Sequence, residues 1–187
     1  MVVVKADVQL DAKGLACPMP IVKTKKAMSE LEEGQVLEVQ ATDKGSKADL
    51  AAWSKTVGHQ YIGTSEVGEI LFHYIRKCNP ETSDQAEQAF EATIANKEIV
   101  NRDGLILDVR EAAEYAFGHV PGAKSIPLGD LEARMRELDM NQEIYVICRT
   151  GTRSDMAATV LAKAGFTKVY NVLPGMSGWT GELTKEL

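Results

Sequence analysis

The sequence is short of cysteine, of basic charge and of long apolar runs. Its 187 residues contain three cysteines, and 21 Lys and Arg stand against 27 Asp and Glu, for a formal net charge of −6. Three widely separated cysteines cannot all pair, which argues against a disulfide framework. No apolar run approaches the roughly 18 residues of a membrane span, and the N-terminal segment lacks the pattern of a secretory signal. We therefore expect a cytoplasmic protein with no membrane partner.

The acidic balance and the scattered histidines exclude further classes. Direct binding to nucleic acid depends mainly on Lys and Arg that neutralise phosphates, so it is not expected, although folded RNA reached through a partner protein stays open. The chain has no CxxC or HExxH motif, and its three histidines are far apart. No zinc site is predicted. The chemistry that remains is that of single thiols.

The pattern of apolar residues divides the chain into two domains and a linker. Residues 1–77 follow the order strand, helix, strand, helix, strand, strand, with ten Lys and Arg against ten Asp and Glu. Residues 78–88 are polar and acidic, which is typical of a linker. Residues 89–187 alternate strands with short helices, one of them predicted over 128–138. This alternation predicts a parallel sheet with helices on both faces, and the fold class is α/β.

The first candidate site is a loop after a predicted strand, with the sequence Cys148-Arg-Thr-Gly-Thr-Arg153. A helix is predicted to begin near Ser154, so backbone N–H groups and the helix dipole are expected to stabilise a thiolate at Cys148. Arg149 and Arg153 add fixed positive charge that can bind an anionic donor. The structural alternative is a buried strand cysteine followed by an ordinary helix start.

Over about residues 88 to 187, the sequence resembles the rhodanese (sulfurtransferase) family. The resemblance rests on the Cys148 loop and on further motifs, among them Leu107-Asp-Val-Arg110, Gly118-His-Val-Pro-Gly-Ala123 and Leu173-Pro-Gly-Met-Ser-Gly-Trp179. It implies that Cys148 takes sulfane sulfur from thiosulfate or a persulfide donor and becomes a persulfide, with no other cofactor. The implied substrate-binding residues are Arg149, Thr150, Gly151, Thr152 and Arg153.

Four other residues in the C-terminal half are interpreted as structural rather than catalytic. Asp108 and Arg110 are interpreted as a cap or salt-bridge pair, His119 as packing at the Pro-Gly turn, and Trp179 as an apolar anchor for the tail. A cysteine phosphatase or arsenate reductase is a rival activity for the Cys148 loop. It requires Cys and Arg six positions apart, whereas Arg153 lies five positions after Cys148, and the shorter loop suits sulfur better than phosphate.

The second candidate site is the turn Cys17-Pro-Met-Pro20, which precedes a predicted helix. Cys17 is predicted at the N-cap of this helix and Pro18 at its first position, where a missing N–H costs nothing. Helix-terminal N–H groups are then expected to make the Cys17 thiol more acidic than a free one. The structural alternative is a helix start with an incidental cysteine.

Over about residues 5 to 77, the sequence resembles the TusA/SirA-like family of sulfur-carrier domains. The resemblance rests on the Cys-Pro-x-Pro motif and on its place after the first strand of a βαβαββ pattern. It implies a two-layer α/β sandwich in which Cys17 carries a persulfide. Cys78 matches neither family and is interpreted as an idle boundary cysteine, with an accessory or resolving thiol as the alternative.

The combination predicts a sulfurtransferase that works as a relay. An external donor charges Cys148, and the sulfur passes, through Cys17, to an acceptor protein or thiol. A flexible linker of about ten residues has a root-mean-square reach of roughly 18 Å, so the effective concentration of one thiol at the other can approach about millimolar. The alternative is a stand-alone rhodanese or redox sensor whose N-terminal domain only docks or regulates. The sequence does not specify an oligomeric state.

Overall fold

The structure, a computed structural model, divides the chain into two compact units, Met1–Ser83 and Asp84–Glu186. It describes residues 4–79, 90–100 and 102–187. Of the predicted linker, 78–88, only Cys78 and Asn79 are among these residues, and 80–88 lie outside the described part of the chain. Each unit is described by itself below.

The N-terminal unit has the predicted βαβαββ order. Its elements are β1 (Val8–Asp11), α1 (Met19–Glu30), β2 (Val36–Ala41), α2 (Ser46–Thr56), β3 (Gln60–Val67) and β4 (Ile70–Arg76). The four strands form one sheet in the order β1-β2-β4-β3. β1 and β2 are parallel, because α1 crosses between them, whereas β4 runs antiparallel to both β2 and β3.

One apolar face of this sheet carries the core of the N-terminal unit. Leu37 and Val39 of β2 are fully buried and pack in one cluster with Met28 of α1 and Leu50 of α2. Alternate residues of a strand point to opposite faces, so both helices lie on the same face. The predicted two-layer sandwich is thereby confirmed.

The C-terminal unit is built around an all-parallel sheet. Its strands are β5 (Thr93–Ala95), β6 (Leu105–Asp108), β7 (Lys124–Ser125), β8 (Ile144–Ile147) and β9 (Val169–Leu173), and its helices are α3 (Asn96–Ile99), α4 (Ala112–Phe117), α5 (Leu131–Arg134) and α6 (Thr152–Lys163). The strand order is β5-β9-β8-β6-β7. β8, which leads into Cys148, therefore lies in the middle of the sheet.

The two faces of β8 bury different helices. Ile144 and Val146 pack with Leu131 of α5 and Leu161 of α6. Tyr145 and Ile147, which point to the other face, pack with a second cluster that includes Ile99 of α3. The predicted parallel sheet with helices on both faces is confirmed.

The predicted helix over 128–138 is wrong as a single element. The structure divides it into a 3-10 turn, Leu128–Asp130, the four-residue α5, and a second 3-10 turn, Met135–Glu137. The Asp130 N–H donates to the Pro127 carbonyl and the Leu138 N–H to the Met135 carbonyl, at 2.9 and 3.0 Å, which are the shorter-range bonds of 3-10 geometry. Gly129 and Asp130 are also poor helix formers.

A buried ion pair joins the end of β6 to the end of α4. The Arg110 guanidinium donates to both Asp108 carboxylate oxygens, with a closest distance of 2.6 Å, and to the Gly118 carbonyl at 2.8 Å. The Asp108 side chain is fully buried and the Arg110 side chain is 8% exposed. Each charge therefore depends on its partner for the solvation that water would otherwise give.

We predict that Arg110→Met lowers the free energy of unfolding of the C-terminal unit by about 3–5 kcal/mol, because Asp108 is left buried without its partner. Urea unfolding followed by tryptophan fluorescence in a Trp53→Phe background reports this unit, since Trp179 is then the only tryptophan. The exposed Arg136 supplies the matched control, Arg136→Met, which should change stability by less than about 0.5 kcal/mol. Equal stability losses in the two variants would contradict the prediction.

Candidate functional site

Cys148 follows β8 directly and lies at the start of a tight loop. α6 begins at Thr152, two residues before the predicted start, and its N-cap is Gly151 with φ of 107°. That left-handed backbone conformation suits glycine, because a Cβ would be strained there. The positive φ of Gly151 turns the chain from this loop into α6.

The sulfur of Cys148 is buried among hydrogen-bonding groups. The Gly151 N–H donates to Cys148 Sγ at 3.1 Å, and Ser154 Oγ lies 3.3 Å from the same atom. Cys148 is 1% exposed. A backbone N–H at this distance stabilises negative charge on the sulfur, as does the N-terminal end of α6. The assignment of Cys148 as the nucleophile stays a prediction.

The two arginines of the loop have different surroundings. The Arg153 guanidinium donates two hydrogen bonds to the Glu114 carboxylate, at 2.7 and 2.9 Å, whereas Arg149 is exposed. Burial alone lowers the pKa of Arg153, but the nearby Glu114 carboxylate and the Cys148 sulfur outweigh burial and raise that pKa above its ordinary value. Arg153 therefore stays charged beside the sulfur, while Arg149 is open to solvent.

The remaining predicted substrate-binding residues, Thr150 and Thr152, are half-buried in the same loop. The structure thus places the whole predicted set, 149–153, within one turn of Cys148. Whether these residues bind substrate stays a prediction.

A loop after β9 closes against the backbone of the Cys148 loop. The Met176 N–H donates to the Cys148 carbonyl and the Ser177 N–H to the Arg149 carbonyl, both at 2.8 Å. A Cβ on Gly175 would lie 2.5 Å from the Cys148 carbonyl oxygen. Asn96 fixes this glycine from the other side, since its Nδ2 donates to the Gly175 carbonyl at 2.7 Å. Sequence reasoning did not identify Asn96, whose contact spans 79 positions.

Cys17 lies in an exposed turn and differs from the prediction in two ways. Pro18, not Cys17, is the N-cap of α1, and the helix begins at Met19. The prediction of a more acidic thiol is also wrong, because the pKa of Cys17 is raised. Partial desolvation is the largest cause, followed by a hydrogen bond with Asp49 and by the negative charges of Asp49 and Asp43.

The helix start explains why the predicted stabilisation of a thiolate is missing. Pro18 and Pro20 have no N–H to offer, and the Met19 N–H donates to the Ala16 carbonyl at 3.0 Å. The turn is also held close to the acidic start of α2, since the Gly14 N–H donates to Thr42 Oγ1 at 2.9 Å. Thr42 directly precedes Asp43. The charges that act on the Cys17 thiol are therefore those of Asp49 and Asp43.

Cys78 packs within the N-terminal unit. Its side chain is 7% exposed, and Arg76 Nη1 lies 3.3 Å from its sulfur. His59 Nδ1 lies 3.1 Å from the Cys78 carbonyl oxygen. Cys78 is the first residue of the predicted linker and follows β4. These contacts nevertheless pack it against the N-terminal unit. Its lack of a chemical role stays a prediction.

The remaining singled-out side chains have local partners. The His119 ring stacks on Tyr115 with ring centroids 3.6 Å apart, and its Nδ1 lies 2.9 Å from the Tyr115 carbonyl oxygen. Trp179 Nε1 donates to the Glu182 carbonyl at 3.1 Å. Among residues 4–79, 90–100 and 102–187, no group of three or more His, Cys, Asp or Glu side chains is arranged to hold a metal ion. No helix in this part of the chain has the length and apolar character to cross a bilayer.

We predict that Asp49→Asn makes Cys17 react faster with iodoacetamide at neutral pH. Removal of this negative charge lowers the pKa of Cys17, so a larger fraction of the thiol is ionised below that pKa. The rate should rise severalfold, measured as a pH profile in a Cys78→Ser, Cys148→Ser background. Glu30→Gln removes an exposed carboxylate at the far end of α1 and is the matched control. An unchanged or slower rate for Asp49→Asn would show that this carboxylate does not govern the thiol.

Comparison with known proteins identifies both units. Residues 8–77 match the family model described as "Sulfurtransferase TusA", and residues 87–182 match the one described as "Rhodanese-like domain". The "Putative sulfur carrier protein YrkF" of Bacillus subtilis is 54% identical over 185 residues, which cover 95% of this chain and 98% of that protein.

Two further relatives each match one unit. The "Sulfur carrier protein TusA" of Allochromatium vinosum is 44% identical over 71 residues, which cover 38% of this chain and 92% of that protein. The "Putative sulfurtransferase YtwF" of Bacillus subtilis is 41% identical over 93 residues, which cover 49% of this chain and 89% of that protein. A solved rhodanese-related protein from Thermoplasma volcanium is 26% identical and covers 50% of this chain and 98% of its own, with a TM-score of 0.48.

Both resemblances that the sequence motifs indicated are confirmed by the family matches. By these matches, and by its identity with a relative that aligns along nearly the whole of both chains, the chain belongs to the sulfur-carrier and sulfurtransferase family, with a TusA domain followed by a rhodanese-like domain.

Proposed function

We propose that this protein takes sulfane sulfur onto Cys148, from thiosulfate or a persulfide donor, and relays it through Cys17 to an acceptor protein or thiol in the cytoplasm. The observation that carries the proposal is the contrast between the two thiols. The Gly151 N–H donates to the sulfur of Cys148, which also interacts with the charge of Arg153, whereas partial desolvation and the charges of Asp49 and Asp43 raise the pKa of Cys17. The TusA and rhodanese-like family matches support one sulfur-handling thiol in each domain.

The first half-reaction loads Cys148. Its thiolate attacks the outer sulfur of thiosulfate, a new S–S bond forms, and the bond to the sulfonate sulfur breaks. Sulfite leaves with the electron pair, and Cys148 is left as a persulfide. The charges balance without an oxidant, because the thiolate and the thiosulfate dianion become a persulfide anion and a sulfite dianion. The exposed Arg149 and the charged Arg153 would attract the anionic donor.

The second half-reaction passes the sulfur to Cys17. The Cys17 thiolate attacks the outer sulfur of the Cys148 persulfide, and the electron pair of the broken S–S bond returns to Cys148. Once ionised, a more basic thiolate is the stronger nucleophile, although a smaller fraction of such a thiol is ionised at neutral pH; a leaving thiolate departs faster when its surroundings stabilise it. Asp49 raises the pKa of Cys17, which makes its thiolate a stronger attacker once formed, and the Gly151 N–H stabilises Cys148 as it leaves. Once Cys17 is ionised, these surroundings favour transfer from Cys148 to Cys17.

We predict that Cys148→Ser abolishes release of sulfite from thiosulfate when dithiothreitol is the final acceptor. Cys17→Ser should retain sulfite release, because the first half-reaction needs only Cys148, and when dithiothreitol is left out its sulfur should be found on Cys148 alone. Cys78→Ser is the matched control and should behave as the unmodified protein. Sulfite is measured in solution, and the persulfides are located by mass spectrometry of alkylated peptides.

Two outcomes would contradict the relay. Equal loss of sulfite release in Cys17→Ser and Cys148→Ser would show that Cys148 does not load by itself. Loading of Cys17 at an unchanged rate in Cys148→Ser would show that Cys17 takes sulfur directly from the donor. If Cys148 alone carries sulfur in the unmodified chain, the N-terminal domain is a docking or regulatory module.

A further inference from the structure

Asn171 is a fully buried polar side chain next to the Cys148 loop. It lies on β9, opposite Val146 of the neighbouring strand β8, and has no exposed surface. Its Nδ2 donates to the Gly151 carbonyl at 3.2 Å, and its Oδ1 accepts a hydrogen bond from Ser154 Oγ at 2.6 Å. Both ends of the amide are therefore satisfied, which fixes its orientation. Asn171 thus holds the two residues that contact the cysteine sulfur.

The Ser154 hydroxyl has one proton and three acceptors within reach. Its oxygen lies 2.6 Å from Asn171 Oδ1, 3.0 Å from the Gly151 carbonyl oxygen and 3.3 Å from Cys148 Sγ. A hydroxyl donates only one hydrogen bond at a time. Beside a neutral thiol, the short bond to Asn171 takes this proton, and the serine oxygen faces the sulfur as an acceptor.

Negative charge on the sulfur changes this preference. Lone pairs of the Ser154 oxygen repel a thiolate, whereas a rotated hydroxyl donates to it in a charge-assisted bond. The Gly151 N–H already points at the sulfur, and Asn171 holds the carbonyl of the same residue, which belongs to the next peptide unit. The same pair of donors serves the thiolate before loading and again when Cys148 leaves.

We propose that Asn171 is a positioning residue for Cys148. It holds the Gly151 residue through its carbonyl and the Ser154 oxygen in its place beside the sulfur. When negative charge develops on the sulfur, the Gly151 N–H donates to it, and the Ser154 hydroxyl rotates to donate from this fixed position. The inference rests on the proposed function for its biological meaning, but it concerns the reactivity of the thiol alone. The charged groups near the sulfur are Arg153 of α6 and its partner Glu114 of α4.

Alkylation of Cys148 by iodoacetamide, followed across a range of pH, tests this role. The experiment uses the full chain with Cys17→Ser and Cys78→Ser, so that Cys148 is the only thiol. Ser154→Ala and Asn171→Leu should each slow alkylation at neutral pH by about tenfold, the effect expected for one lost hydrogen bond to a charged group, and move the profile to higher pH. The double variant should be little slower than the slower single variant, because both residues act through one network.

Two further variants separate positioning from stability. Thr159→Val removes another α6 hydroxyl, which bonds the Asp155 carbonyl at 3.0 Å, and should leave the alkylation profile unchanged. Ser154→Thr keeps the hydroxyl and should restore most of the rate lost in Ser154→Ala. If Asn171→Leu does not fold, Asn171→Asp keeps the size but replaces the amide donor by a charged oxygen, and it should slow alkylation as well.

The inference is overturned if Cys148 in the folded Asn171 variants is alkylated at the rate of the background protein. A decrease in that rate no larger than the decrease in Thr159→Val would overturn it as well. That result does not contradict the proposed sulfur relay if Cys148 still accepts sulfur from thiosulfate. Conversely, a background protein whose Cys148 alkylates normally but never takes up sulfur refutes the proposed function and leaves the role of Asn171 intact. The two failures are therefore distinguishable.

Discussion

The hydrogen bond from the Gly151 N–H to Cys148 Sγ is the contact on which the C-terminal site depends. The donor, Gly151, lies three positions after the cysteine, has a left-handed backbone conformation and is the N-cap of α6. Because α6 starts there, Ser154 lies one turn above the sulfur and Arg153 reaches Glu114 on α4. The loop after β9 then braces the backbone, with Gly175 against the Cys148 carbonyl. A single tight turn thus aligns the sulfur, its hydrogen-bond donors and its nearest fixed charge.

The thiols of Cys17 and Cys148 have different electrostatic surroundings, although both precede a helix. At Cys148 the helix start supplies a free N–H. At Cys17 prolines occupy the positions that would supply it, and Asp49 on the neighbouring helix raises the pKa of the thiol. The difference also extends to access, because Cys148 is buried and Cys17 is exposed. A sulfur with stabilised negative charge suits a leaving thiolate, and an exposed sulfur is accessible to another protein.

Local patterns in the sequence were enough for most of the fold. The order of the N-terminal elements and the strands β6, β8 and β9 follow from the spacing of apolar residues, whereas β5 and β7, with three and two residues, are too short to show a period. The helix over 128–138 failed because Gly129 and Asp130 favour turns over a continuous helix.

In the candidate site, too, local contacts could be predicted from the sequence and distant ones could not. The Cys148 loop is contiguous in sequence, so its members could be named together. Asn96, Asn171 and Gly175 come from other parts of the chain, and no spacing rule joins them to the loop. The acidity predicted for Cys17 was wrong for the same reason, since Asp43 and Asp49 approach it only through the folding of α2 against the turn.

The most direct test of the relay is the order in which the two thiols acquire sulfur in the intact, unmodified chain. The protein is mixed with thiosulfate, samples are quenched by alkylation at short intervals, and the peptides that contain Cys17 and Cys148 are followed by mass spectrometry. The account predicts that the mass of one sulfur atom appears on Cys148 first and then on Cys17 as the Cys148 persulfide declines. Sulfur that appears first on Cys17, or that never leaves Cys148, would contradict it.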